Sequence, residues 1–497
     1  MPRGAELSRY SSRVQPDILP IHGRVETRTA LNKLLTVVLI IFLASSIGPV
    51  YGQAEPSSDP FDELTPLRAL LSEQQDRYGA VDMRLVEPLE QLADKLMMSN
   101  QFDEAHELLD RAMQIARVEG GLYTETQRPL LEKKIENFAN RGDWDGARES
   151  MEHLFWLYTD KSLRINQLLI EDLLELSRVH LRALAEDASF YQGFHFRRAA
   201  QIRWIALGVA EALWGEADER LVPIIYEQLR QFHLQTTALW QGGPTSYSLR
   251  AVAPGSQIMR DRSDVNESFY LTGMGLLDNL FSIYAESPSP DPVAIAMTNV
   301  YLADWHILYN KPQIAMETYR QANQELLEAG VNAAQVNELF SQPRVIPDVE
   351  FYASVEAAIA AQNNRMVTVG EGNSEVFLSF SEWSAALPNV RSPIPVYAAG
   401  SEAVDSNFAL FSFSLAGVNK VSRWYSHRFS STVSMIEQAE LLAHFLESPP
   451  EEGQLLEKLN SLTFRPKLVD GEPQQATGRL KYQLAEDGLS TSFRNRP

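Results

Sequence analysis

The side chains able to do chemistry are scattered along this chain. It has no cysteine in 497 residues, which excludes a nucleophilic thiol, a thiolate-held zinc or iron–sulfur centre, a disulfide and an acylated N-terminal cysteine. Only His, Asp and Glu remain as metal ligands. The nine histidines, among them His153, His180, His195, His233, His306, His427 and His444, have no carboxylates at ligand spacing. No His-Glu-x-x-His, Gly-x-Ser-x-Gly, P-loop or Gly-x-Gly-x-x-Gly run occurs. His195-Phe196-Arg197-Arg198 has the charge to hold an anion, but at the start of an amphipathic stretch it reads first as an exposed basic turn. The pairs Glu171-Asp172 and Glu451-Glu452 are adjacent and so do not share a helical face. The chain reads as a non-enzyme with no catalytic residue, metal site or cofactor.

Charge narrows the partners. There are 44 Lys+Arg against 65 Asp+Glu, a formal charge of −21, which disfavours nucleic acid, since phosphate binding needs a basic surface. At 44% hydrophobic and 9% aromatic the composition is that of a globular protein, and the length implies two to four domains.

Residues 1–33 run against the acidic trend, with Arg3, Arg9, Arg13, Arg24, Arg28 and Lys33 opposing Glu6, Asp17 and Glu26. The apolar stretch Leu34 to Leu43 follows, then Pro49, then Gly52-Gln53-Ala54. This is the layout of a bacterial secretory signal, with cleavage expected after Ala54. The uncharged run Leu34 to Ala54 is also long enough to span a bilayer. Residues 1–54 are therefore a signal peptide or a signal anchor. Everything beyond is expected in the periplasm, either free or held at the inner membrane.

The positioning elements are mostly helical. Leu89, Leu92, Ala93 and Leu96, then Ala105, Leu108, Leu109, Ala112 and Met113, lie at helical spacing on either side of Asn100-Gln101. Leu131, Ile135 and Phe138, then Ala147, Met151 and Leu154, repeat the plan around Gly142-Asp143-Trp144. Leu302, Ala303 and His306, then Ala315, Tyr319 and Ala322, repeat it again around Asn310-Lys311-Pro312. Leu163 to Ala185, Phe196 to Leu213 and Leu221 to Leu239 read as further amphipathic helices. Gly242 to Asp264 reads as a long loop.

The three turns, Asn-Gln-Phe-Asp-Glu-Ala at 100–105, Gly-Asp-Trp-Asp-Gly-Ala at 142–147 and Asn-Lys-Pro-Gln-Ile-Ala at 310–315, resemble tetratricopeptide (TPR) repeats. The resemblance implies a mostly α protein, a TPR-like α-solenoid over 62–340. Ala105 and Ala147 are farther apart than the family's usual repeat, Lys134 stands where the family prefers Leu, and His306 where it prefers an aromatic. If the first units follow family geometry, Glu90, Asp94, Glu132 and Glu136 project into an acidic groove for a partner segment.

Residues 341–404 read as a linker and domain entry, with Pro388, Pro393 and Pro395 breaking any periodicity. From Phe408 the period becomes two, and Gly417 to Lys420 is expected to turn into a second strand, Val421 to Phe429. Val433 to Leu446 is expected to be helical. Gly478 to Leu484 reads as a strand with Leu480, Tyr482 and Leu484 inward. This order, with Phe464-Arg465-Pro466 and Asp470-Gly471-Glu472-Pro473 before the last strand, resembles the C-terminal domain of the TonB energy-transducer family. The likeness implies a small α+β domain over 405–489 (two-stranded hairpin, helix, third strand). It also implies that Arg479, Lys481 and Gln483 lie on a strand edge open to strand addition. The Tyr-Pro-x-x-Ala entry helix of that family has only a loose counterpart, and the proline-rich spacer is missing.

The leading expectation is an exported adaptor of the cell envelope that binds protein or peptide segments without covalent chemistry. A divergent membrane-anchored energy transducer is the alternative, and an envelope-processing enzyme a third.

Overall fold

The computed structural model describes residues 60–121, 124–159, 165–241, 262–370, 375–381, 408–416, 436–446 and 452–483. The expected leader lies outside these residues, as do the loop after Gln241, the prolines at 388–395 and the expected strand Val421 to Phe429. No helix among the described residues is long and apolar enough to cross a membrane.

The molecule is mostly helical, with a small sheet region toward the C-terminus. The helices are α1 (Pro60–Tyr78), α2 (Val86–Met98), α3 (Phe102–Gly120), α4 (Gln127–Asn140), α5 (Trp144–Thr159), α6 (Gln167–Glu186), α7 (Gln192–Trp214), α8 (Val222–Gln241), α9 (Arg262–Ala285), α10 (Pro292–Leu308) and α11 (Pro312–Glu328). Short α12 (Ala333–Leu339), α13 (Val355–Asn364) and α14 (Glu452–Asn460) follow. Consecutive helices pack in pairs, α2 on α3, α4 on α5, α6 on α7 and α10 on α11. The apolar faces expected for the first two pairs are buried in one core.

The three repeated turns close in the same way. Asn100, Gly142 and Asn310 take positive φ values of 58°, 72° and 57°. The next amide in each then reaches back to a carbonyl five residues earlier: Gln101 to Leu96 at 2.8 Å, Asp143 to Phe138 at 2.9 Å and Lys311 to His306 at 2.8 Å. These are Schellman closures, which need a residue tolerant of the left-handed region. Ala105, Ala147 and Ala315 have no exposed surface, so the second helix of each pair lies close against its neighbours.

The strands are β1 (Arg344–Ile346), β2 (Met366–Val369), β3 (Glu375–Ser381), β4 (Phe408–Leu415), β5 (Ile436–Phe445), β6 (Thr463–Arg465), β7 (Lys467–Val469), β8 (Glu472–Gln474) and β9 (Ala476–Gln483). The main sheet runs β2-β3-β9-β4-β5, with β3 parallel to β9 and the other pairs antiparallel. One sheet face, carrying Phe380, Phe411, Phe413, Leu480 and Tyr482, packs on Leu455 and Leu459 of α14. β7 and β8 form a hairpin through Asp470-Gly471, both at positive φ, which matches the twist of a two-residue turn.

Three expectations are corrected. Residues 436–445, expected to be helical, form β5. Their Glu, Gln, Ala and Leu favour a helix locally, but pairing with β4 satisfies the backbone and places Ile436, Ala439 and Leu441 on the core. The helix of this region is instead α14. Residues 344–381, expected to be linker, contain β1, α13, β2 and β3, and the last two belong to the main sheet. Runs this short carry no periodicity to read. Finally, the strand with Leu480 and Tyr482 inward lies inside the sheet between β3 and β4. It is not an edge.

Candidate functional site

The four carboxylates expected in a groove lie on α2 and α4, and the structure joins them to partners within the chain. Lys133 Nζ sits 2.8 Å from Glu90 and 2.5 Å from Asp94. Burial raises the Asp94 carboxyl above its ordinary range, against the pull of Lys133. The Tyr158 hydroxyl donates to Glu132 at 2.8 Å, and Glu136 is buried. Lys133 offsets part of the expected acidic face, and Tyr158 and burial draw Glu132 and Glu136 into the packing between helices. Similar ion pairs link later helices: Arg128 to Asp172, Arg148 to Asp187, Arg198 to Glu152 and Arg203 to Glu227.

On β9 the three expected edge residues share the sheet face opposite Leu480 and Tyr482, with Lys481 and Gln483 in register with both neighbouring strands and Arg479 in register with β4. Arg479 reaches Glu375 at 3.0 Å. Lys481 is buried with Nζ 4.1 Å above the Phe408 ring. Gln483 pairs with Ser381 and Phe408 in register. Among the described strands the outer ones are β2 and β5. β2 has four residues, and β5 carries two register irregularities together with Glu437 and Glu440. Short length, bulges and charge are the devices by which natural edges resist pairing.

Two polar clusters were missed by sequence reasoning. The first is a joint between helices and sheet. Arg465, fully buried, donates through Nε to Asp304 Oδ1 at 2.9 Å and through its terminal nitrogen to Oδ2, while the Tyr319 hydroxyl donates to the same carboxylate. Asp348, also buried, receives Arg365 at 2.8 Å and faces Arg344 at 2.5 Å, and these cations hold its carboxyl below the ordinary range despite burial. Between them, residues 348–352 cross α8 and α10. Tyr226 donates to the Asp348 carbonyl at 3.2 Å, Arg230 to Val349 at 2.9 Å and Tyr301 to Glu350 at 3.1 Å. Arg465 belongs to the Phe-Arg-Pro run already singled out. Nothing in the sequence named Asp304 as its partner.

The second cluster lies where α6 turns into α7. His195 Nε2 is 2.8 Å from Asp187, and its Nδ1 is 3.0 Å from Nδ1 of His180. Arg148 of α5 closes on the same carboxylate and stacks 3.5 Å from the Tyr191 ring. Both imidazoles are fully buried. The basic run at 195–198 is thus split. His195 points inward, Arg198 grips Glu152 with its Nε at 2.7 Å, and Arg197 is exposed. No group of three or more His, Asp or Glu able to hold a metal is found among the described residues.

No family model matches the chain, and no curated protein matches it. Among solved structures it is similar to BtubC (BKLC) from P. vanneervenii, at 14% identity over 55% of this chain and 90% of that one, with a TM-score of 0.29. A likeness of that size carries no argument about fold or function.

Proposed function

We propose that this chain is an exported interaction scaffold of the bacterial envelope, in which TPR-like helical pairs stack as a solenoid and present one extended surface to protein or peptide partners. The observation that carries the reading is the shared closure of the turns at Asn100, Gly142 and Asn310. One backbone solution recurs in three helical pairs, each followed by a fully buried alanine. Repeated units of this kind cannot bury their faces alone, and stacking them leaves a long surface for recognition. The mechanism is non-covalent binding. The sheet serves this scaffold as a fixed terminal element, because Arg465 and residues 348–352 tie it to α8 and α10. That rigid attachment suits a scaffold better than a transducer domain on a free tether.

Photo-crosslinkers placed at the exposed Trp156 and Leu271, in the full chain exported with its own leader, test the reading. Discrete protein adducts at helical positions are expected, with none at the buried control Ala147. An adduct pattern no different from that control overturns it.

A further inference from the structure

We propose that the α6–α7 hairpin is an acid-released joint, closed by a chain Asp187–His195–His180 that accommodates two imidazole protons and opens on a third. The inference is independent of the scaffold reading.

The proton positions follow from the contacts. The Asp187 carboxylate faces His195 Nε2 at 2.8 Å and also takes Arg148 and the Ala188 amide. As an acceptor it fixes the proton of His195 on Nε2. His195 Nδ1 is then a bare lone pair, so the Nδ1 of His180, 3.0 Å away, must be the donor. This leaves His180 neutral, with Nε2 bare, buried and without a hydrogen-bond partner.

A third proton has three placements, and each leaves a buried group in conflict. On His195 Nδ1 it sets two N–H groups head-on at the same 3.0 Å. On His180 Nε2 it creates a buried imidazolium with no acceptor, and if the His180 Nδ1 proton then passes to His195 the charge moves beside Asp187, which Arg148 already holds, while His180 keeps a buried Nε2–H with no acceptor. The surroundings do not compensate. Phe194 lies edge-on to the His180 ring with centroids 5.8 Å apart, and the Arg198 charge opposes a second cation. Glu152 of α5 is taken by Arg198, Asp187 by His195 and Arg148, and Tyr191 lies under Arg148. Burial accordingly drives the His180 pKa well below its ordinary value and lowers that of His195 in spite of Asp187.

The sign follows. An opened hairpin binds protons near the ordinary histidine value of about 6.5, whereas the closed one does not. Closure is therefore fully favoured above that pH and weakens as pH falls below it. Because Arg148 joins Asp187 to α5, opening also releases the Asp187–Tyr191 turn, where Phe190 is already exposed.

Amide hydrogen exchange on the full chain at about pH 7.5 and about pH 5, corrected for intrinsic rates, tests this. Residues 180–195 are expected to gain about tenfold in exchange at the lower pH relative to α2 and α3, which lack this chain of histidines. His180→Asn keeps an N–H donor toward His195 but cannot titrate, and should abolish the gain. Should that variant fail to fold, ring-nitrogen spectra of the unaltered protein serve instead. They are expected to show His180 protonated on Nδ1 only, with no imidazolium while the hairpin is closed. Equal acid sensitivity in the asparagine variant, no excess gain over α2 and α3, or an imidazolium within the closed hairpin each overturns the proposal.

Discussion

At the scale of single residues, the buried ions decide where the molecule is vulnerable. Asp304 and Arg465 are each almost wholly removed from water, and the Asp304 carboxylate offsets the burial of the Arg465 guanidinium and holds it charged. Removing one partner leaves an uncompensated buried charge, which typically costs about 3–5 kcal/mol, whereas replacing both with apolar residues costs far less. Arg465→Met is therefore expected to lower unfolding stability by about that amount, and Asp304→Leu added to it to recover part of the loss. Denaturant titration of both singles and the double checks this, and strict additivity counts against the assignment. His233 and His306 add a pH dependence of their own. Burial lowers both pKa values to about 4, helped in His306 by the Lys311 charge. A histidine pKa depressed on folding contributes stability that is complete above its unfolded value and is lost as pH falls through it. Thermal melts between about pH 8 and about pH 4 should show a falling midpoint that begins near pH 6.5, the ordinary histidine value.

At the scale of elements, the turns and close helix approaches can be tested one by one. Asn310→Ala places a β-carbon-bearing residue of lower tolerance in the left-handed region and is expected to cost about 1 kcal/mol, while Asn310→Gly costs little or nothing. The two midpoints in urea distinguish the substitutions. Gly273 of α9 faces Trp305 of α10, and an added β-carbon would sit 2.1 Å from the indole ring. Gly273→Ala is therefore expected to destabilise by about 1–3 kcal/mol through overpacking. A Trp305 fluorescence signal unchanged by that variant would contradict the close approach. The same scale explains which elements could be read in advance. The helical pairs around Asn100, Gly142 and Asn310 showed in the spacing of apolar residues, because a helix closes its hydrogen bonds within four residues. Ile436 to Phe445 could not be read this way, since its apolar positions fit either period and only β4 decides between them.

At the scale of the whole molecule, the sheet and the last helices behave as one unit. A chain ending at Gln342 would lose Arg465 and residues 348–352, exposing Asp304 and removing the carbonyls to which Tyr226, Arg230 and Tyr301 donate. Such a chain is expected to lose protection in α8 and α10 by limited proteolysis while retaining it in α2 to α5. Equal protection throughout would show that the joint contributes little. The candidate site illustrates the same dependence. Glu90, Asp94, Glu132 and Glu136 were visible as acids on helical faces, but Lys133 and Tyr158 answer three of them across helix boundaries. Arg479, Lys481 and Gln483 were visible as one strand face, yet the strand is an interior one.

From the sequence alone came whatever depends on near neighbours or on composition: the thiol chemistry excluded by the lack of cysteine, the helical pairs, the turns between them and the inward face of β9. The tertiary structure decided which strand is central, which acid meets which base, and that His180 and His195 share a proton line. Asp304 and Arg465 are separated by 161 residues. The partner of a buried charge, like the partner of a strand, is set by chain that is distant in sequence and brought near only by folding.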